Sequence, residues 1–348
     1  MRIAHLLWNF EAGGIENMLI DIANCQIKDP RVDSISVYII NNQYCQALID
    51  KFDARISIIK CGRRVGSRSF LPIVKLNYEL FKFKPDILHF HAAEISKIVF
   101  VFGTKVLTVH NTGYNPDTGS WFKACFAISE AVKNDWAKKG VKTKVVANGI
   151  SCREINVKNS FWDGESAFKI IQVSRILFVQ KGQDIALQAI AGLKAKGISN
   201  IQLSFVGDGE DYDSLAQMID EYGLKDSVVL EGVKDRDWIY QHLQEYDLFL
   251  QPSRFEGFGL TVAEACAAKL PVLVSDNEGP LEIIDNGKFG TTFRNKDVDD
   301  LKMKILAIMR DYQKLIPIAD KARDHVLHLY DISKTASKYV DEYQDVLK

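Results

Sequence analysis

Phe168 to Lys196 reads FKIIQVSRILFVQKGQDIALQAIAGLKAK, and the change of period inside it decides the fold. Residues 168–173 have strand character and end in a polar turn; from Gln183 onward apolar residues recur at helical spacing. A short apolar strand followed by an amphipathic helix is the repeating unit of a parallel α/β sheet. The same alternation extends in both directions. Downstream, strands are predicted at 202–206, 227–230, 248–250 and 271–274, with helices at 183–196, 211–222, 237–244 and 260–268. Upstream, strands are predicted at 3–8, 34–40, 55–59, 86–91, 105–110, 124–128 and 144–147, with helices at 15–26, 71–83 and 130–138. Residues 298–348 are helical in period and lack strand signals. A polar, unpatterned stretch at 148–166, NGISCREINVKNSFWDGES, separates the two series and reads as a linker.

The chain has 348 residues, too many for one ordinary core and suited to two doubly wound domains. Lys+Arg is 44 and Asp+Glu is 45, and the resulting net charge of -1 argues against a nucleic-acid binder. The six cysteines are scattered, with no C-x-x-C pair, as expected of reduced residues in a cytosolic protein rather than of a zinc site. The N-terminal MRIAHLLWNF is too short in its apolar run for a signal peptide, and no stretch approaches a transmembrane helix. A cytoplasmic protein is the expectation.

The chemistry-bearing segment is SRFEGFGLTVAEACAAKLP, Ser253 to Pro271. Glu256 falls in a loop before a helix beginning near Gly259, and Glu264 falls within that helix. Glycines at 257 and 259 leave N–H groups free at a helix start, a geometry that binds phosphate. Ionised carboxylates beside it accept hydrogen bonds from sugar or ribose hydroxyls. A solvated acidic loop before an ordinary helix is the competing reading. Arg175, at the end of one strand, and Lys181, before a helix, would place two cations beside a phosphate, or else serve solubility alone. Phe205-Val206-Gly207-Asp208-Gly209 and Leu230-Glu231-Gly232-Val233 end the next two strands. A nicotinamide-binding G-x-G-x-x-G fails here, because Tyr212 takes the third glycine position. In the first half, Trp8-Asn9-Phe10-Glu11-Ala12-Gly13-Gly14 joins the opening strand to a helix, and its glycines admit close approach of a ligand or simply a tight turn. His91 and His110 end strands; a neutral imidazole would bond a sugar hydroxyl, a charged one a phosphate.

F-E-G-F-G-L-x-x-x-E-A resembles the E-x7-E signature of retaining GT-B-fold glycosyltransferases, the family called glycosyl transferases group 1 (glycosyltransferase family 4-like). The resemblance spans roughly residues 2–290. It implies two Rossmann-like domains facing a central cleft: an acceptor-side domain at 1–155, a nucleotide-sugar-binding domain at 156–330, and a helix at 331–348 crossing back to the first. It further implies that Glu256 holds donor-sugar hydroxyls, Glu264 the ribose, and Phe258, Gly259 and Leu260 the sugar and phosphate through backbone. Arg175 and Lys181 would hold the pyrophosphate, Gly207 and Val233 the nucleoside, Gly13 and Gly14 a phosphate or sugar, and His110 the donor sugar. The implied reaction is retaining, metal-independent hexosyl transfer from a nucleotide-diphosphate sugar, UDP in preference to GDP, with no cofactor. The implied acceptor is a saccharide or lipid-linked saccharide of bacterial-type surface polysaccharide or glycolipid. An epimerase of the same fold and a non-catalytic nucleotide-sugar-binding subunit are the alternatives. Lys269 departs from the family by replacing a glycine before Pro271, and residues 276–280 are an uncommon version of its glycine-rich turn.

Lys60, Arg63, Arg64, Arg68 and Lys75 occur with no acidic residue between Asp53 and Glu79, beside the apolar run 70–74. Such a surface suits an anionic membrane at its inner face, with Arg63, Arg64 and Arg68 as contacts. A solvated basic loop is the other reading.

Overall fold

The computed structural model describes residues 1–11, 13–111 and 120–348. The chain divides into two compact units, Met1–Ile150 with Tyr330–Lys348, and Ser151–Leu329. Unit 1 holds strands β1 (Arg2–Leu7), β2 (Ser34–Asn41), β3 (Ser57–Arg63), β4 (Ile87–Phe90), β5 (Thr104–Val109), β6 (Ala124–Ala127) and β7 (Lys144–Val145). All pairings are parallel, in the order β3-β2-β1-β4-β5-β6-β7. Central strands buried on both faces are largely apolar, as Ile3, Leu6, Ile35, Val37, Ile39, Ile87 and Val106 show, with buried His5, Ser36, His89 and Thr108 among them.

Unit 2 holds β8 (Phe168–Val173), β9 (Ile201–Val206), β10 (Val228–Gly232), β11 (Leu248–Gln251), β12 (Val272–Ser275) and β13 (Thr291–Phe293). Its parallel order is β10-β9-β8-β11-β12-β13. Both sheets reverse direction once, between β1 and β4 and between β8 and β11. Adjacent crossovers leave opposite faces at that point, so the strand ends there open a crevice. β13 is not legible in the sequence: three residues carry too little period to register.

Helix starts follow local chemistry. Ser129, Asp235, Asp297 and Asp331 each cap a helix by accepting a backbone N–H two or three residues on. Helix Ile332–Leu347 buries Ile332, Thr335, Ala336, Tyr339, Val340 and Tyr343, one helical stripe. That stripe packs into the core of unit 1 beside Met18, Leu19 and Ile22.

The expected linker is only partly one. Within 148–166, Trp162 packs against Phe168 and Tyr312 in the core of unit 2. Lys158 is buried, donating to the carbonyls of Tyr246 (2.6 Å) and Gln244 (3.2 Å) and to Asp247 Oδ1 (3.3 Å). Isolated anchors of this kind have no periodicity to betray them. Among the described residues no helix is long and apolar enough to cross a membrane.

Candidate functional site

In unit 2 the predicted residues gather where β8 and β11 end. The loop after β8 leads to helix Gln183–Ala195, and the loop after β11 leads to helix Leu260–Ala267. Lys181 Nζ donates to Glu256 Oε2, and both side chains are 16% exposed. Gly182 makes the meeting possible. Its φ is +69°, and a Cβ there would lie 2.1 Å from the Pro252 carbonyl oxygen, so only glycine lets the two loops touch.

A polar frame surrounds the pair. Gln251 Nε2 donates to Ser253 Oγ (2.8 Å) and reaches Glu256 Oε2 (3.4 Å). Gln172 Nε2 donates to the Lys181 carbonyl (3.0 Å), and Gln183 Nε2 to Ser174 Oγ (3.0 Å) and the Arg175 carbonyl (2.9 Å). The three glutamines are buried, and their Oε1 atoms have no hydrogen-bond partner. Sequence reading missed them. The available signal was a glutamine near the end of two otherwise apolar strands, at 172 and 251.

Of the remaining predicted residues, Phe258 is buried and Gly259, at φ +100°, precedes Leu260 at the start of its helix. Tyr240 Oη donates to Glu264 Oε1 at 3.4 Å. Gly207 closes β9 against the Ser174 carbonyl. Val233, after β10, is largely exposed. Arg175 is directed away from the pair: its guanidinium is 63% exposed and bonds Glu210 at 2.5 Å. Lys269 adopts φ +60°, the left-handed conformation that the family's glycine would take without strain, and its ammonium pairs with Asp320 at 2.5 Å.

The metal-free reading gains nothing from the sequence, which holds Asp-x-Asp triplets at 211–213, 235–237 and 297–299. Each has a structural duty. Asp211 accepts from the Phe178 N–H, and Asp235 and Asp297 are the helix caps described above.

In unit 1, Gly13 and Gly14 start helix Gly14–Gln26, and Ala12 of the same loop lies outside the described residues. Glu16 folds over the loop: its Oε2 lies 2.5 Å from where a Gly13 Cβ would sit, and burial pushes its carboxyl pKa upward. His110 follows β5 and is buried. Burial brings its pKa down to about 4, so the imidazole is neutral.

Residues 156–325 match the family described as glycosyl transferases group 1. The matched residues fall within unit 2. An uncharacterized glycosyltransferase of Methanocaldococcus jannaschii is 24% identical over 277 residues, covering 75% of this chain and 69% of that protein. The N,N'-diacetylbacillosaminyl-diphospho-undecaprenol alpha-1,3-N-acetylgalactosaminyltransferase of Campylobacter jejuni is 26% identical over 276 residues, 76% of this chain and 67% of that enzyme. Among the relatives matched, the chain spans as little as 31% of their own length. Anabaena HepE in complex with UDP-glucose superposes with a TM-score of 0.83 at 22% identity, covering 99% of each chain. The two units thus have the GT-B fold of that structure, each a parallel-sheet Rossmann-like domain.

Proposed function

We propose that the chain is a glycosyltransferase that moves a sugar from a nucleotide-diphosphate sugar, UDP in preference to GDP, to an acceptor hydroxyl, with retention and without a metal. The observation that carries this reading is the Lys181–Glu256 contact. It joins the two predicted donor-binding segments at the switch point of a doubly wound sheet, beside the helix start at Leu260. In the reaction, the anomeric carbon–phosphate oxygen bond breaks and the acceptor oxygen bonds the same face of that carbon. The acceptor proton passes to the departing phosphate oxygen. Lys181, joined by Arg175 once it leaves Glu210, offsets charge on the leaving diphosphate, and Glu256 orients the sugar through its hydroxyls. Glu264 receives the ribose. UDP-glucose in the HepE structure supports a uridine donor here.

The acceptor in this reading is a saccharide or lipid-linked saccharide, as the name of the Campylobacter jejuni relative states for that enzyme. Helix Leu71–Phe83 supports a peripheral site on an anionic membrane. Leu71, Val74, Tyr78 and Phe81 recur at spacings of three and four on one helix face, and all are exposed, as is Phe70. Asn77 of the same helix bonds the backbone of Ile98 and Phe100, and Phe100 is exposed as well. Arg64 and Arg68, in the segment that leads into this helix, and Lys75 within it are exposed, and Arg63 is half-buried.

A thermal-shift panel of UDP, GDP, ADP, CDP and their sugar conjugates, with NAD as control, tests the donor. At a hundred times its dissociation constant a ligand adds ~2.7 kcal/mol. Stabilisation by a uridine nucleotide, lost in Lys181→Ala, is expected. A response to NAD alone refutes the reading.

A further inference from the structure

Two charged bridges, not one, join the loops that carry the candidate site. Besides Lys181 and Glu256, Arg254 of the loop after β11 reaches Asp184, 70 residues earlier in the chain. Its Nη1 donates to Asp184 Oδ1 (2.8 Å) and its Nη2 to Asp184 Oδ2 (2.7 Å), so guanidinium and carboxylate meet fork to fork. Both side chains are largely shielded from solvent. Asp184 lies in the first turn of helix Gln183–Ala195, where the helix dipole favours a carboxylate.

The same arginine makes two further bonds across the gap. Its backbone N–H donates to the Gln180 carbonyl (2.7 Å), and Nη1 also donates to the Phe178 carbonyl. Arg254 thus grips residues 178, 180 and 184, on both sides of Lys181, from a position two residues before Glu256. It is itself held from behind. Asn295 Nδ2 donates to the Arg254 carbonyl (2.8 Å), and Ser275 Oγ to the Ser253 carbonyl (2.6 Å), which Asn277 Nδ2 bonds as well. The Arg254 backbone is therefore tied to the ends of β12 and β13.

The two bridges respond differently to a ligand. Phosphate competes with Glu256 for the Lys181 ammonium, and sugar hydroxyls compete with Lys181 for the Glu256 carboxylate. Both terminal nitrogens of Arg254 are already engaged, by Asp184 and by the Phe178 carbonyl. A ligand therefore opens the first bridge and leaves the second. That opening removes one cross-loop tie just when Lys181 and Glu256 must hold fixed positions. A lysine at 254 would not serve, since one ammonium cannot span both carboxylate oxygens as the planar fork does.

We propose that Arg254 and Asp184 are positioning residues, which clasp the two loops so that Lys181 and Glu256 keep their separation after the bond between them has opened onto a ligand. The consequence for rate rests on the glycosyl-transfer reading, in which that separation sets the donor diphosphate against the donor sugar. The clasp itself rests on loop geometry alone.

Hydrogen exchange in the unliganded full chain reads the clasp through the Arg254 N–H. The Leu203 N–H of β9, bonded to the Ser227 carbonyl (2.8 Å), is the internal reference. In Asp184→Asn, which keeps the shape of the side chain, Arg254 protection should fall while Leu203 protection stays. In Lys181→Ala, where the first bridge is absent, Arg254 protection should remain. Unchanged protection in the first variant, or its loss in the second, overturns the clasp whatever the activity.

Transfer kinetics read the positioning. Asp184→Asn and Arg254→Lys should each lower kcat between roughly ten- and a hundredfold, with donor KM changed far less. In a Lys181→Ala background the further loss should be no more than about twofold, because the group being positioned is gone. Equal losses in both backgrounds, or unchanged kcat beside a lowered melting temperature, would show a bridge that only stabilises unit 2 and overturn the proposal. Turnover absent in the wild type with every donor refutes the glycosyl-transfer reading, and the exchange results then decide the clasp by themselves.

Discussion

Lys181 and Glu256 are 75 residues apart in sequence and form one hydrogen-bonded ion pair at the ends of adjacent strands. Among the described residues each is the other's one ion-pair partner, set in a polar frame of uncharged glutamines and a serine. A ligand bearing phosphate and hydroxyl groups satisfies both at once, one group for each residue.

Lys181→Ala should therefore lower transfer by about a hundredfold, the scale for losing one group that stabilises developing charge. Glu256→Gln keeps the shape of the side chain and should reduce transfer while leaving the melting temperature within a few degrees. Steady-state rates beside thermal melts separate the two effects. Normal rates in both variants would refute the site.

Gly182→Ala should destabilise unit 2 by more than 2 kcal/mol, on the order of the cost of a left-handed alanine combined with a clash against fixed backbone. Gly197 supplies the control. It has φ +84° but nothing within 4 Å of its Cβ position, so Gly197→Ala should cost only about 1 kcal/mol. Denaturant melts compare the two, and equal losses would mean that the loop contact is slack.

Lys158→Ala strips Asp247 of its buried cation. Breaking such a pair costs on the order of 3–5 kcal/mol, because the remaining charge is left desolvated. For a unit of this size that lowers the melting temperature by roughly 2–4 °C per kcal/mol. A loss under 1 kcal/mol would show that water reaches Asp247.

Unit 1 should lose stability in mild acid. The folded pKa values of His5 and His110 are about 4, below the ordinary 6.5, so the unfolded chain binds more protons between those limits. Stability is complete above pH 6.5 and declines as pH falls toward 4, by up to ~1.4 kcal/mol per pH unit for each such histidine. Melts at pH 7 and pH 5 should differ, and His110→Gln should narrow the gap. A flat profile would contradict the burial of these rings.

Flotation with vesicles containing anionic lipid should capture the wild type, and Leu71→Glu/Phe81→Glu should abolish capture without changing the melting temperature, since both side chains are already exposed. Arg63→Glu/Arg64→Glu should weaken it in a salt-dependent way. Failure of the wild type to float would remove the membrane from the proposal.

Sequence alone determined the class of fold and most of its elements. Alternating strand and helix periods carry that information locally: helices Leu71–Phe83 and Glu130–Lys138 begin and end where the periods put them, and Ile332–Leu347 falls within a residue of the stretch expected. It also supplied the identities of Glu256, Lys181 and His110 as candidates, because charged and titratable groups stand out at strand ends. Only tertiary structure decided what these groups touch. Strand order brings Lys181 to Glu256 and leaves Arg175 with Glu210. It also lines up His5, His91 and His110 from three strands that are distant in sequence but adjacent in the sheet. Period is a property of neighbours along the chain, whereas ion pairs and buried anchors such as Lys158 depend on neighbours across it.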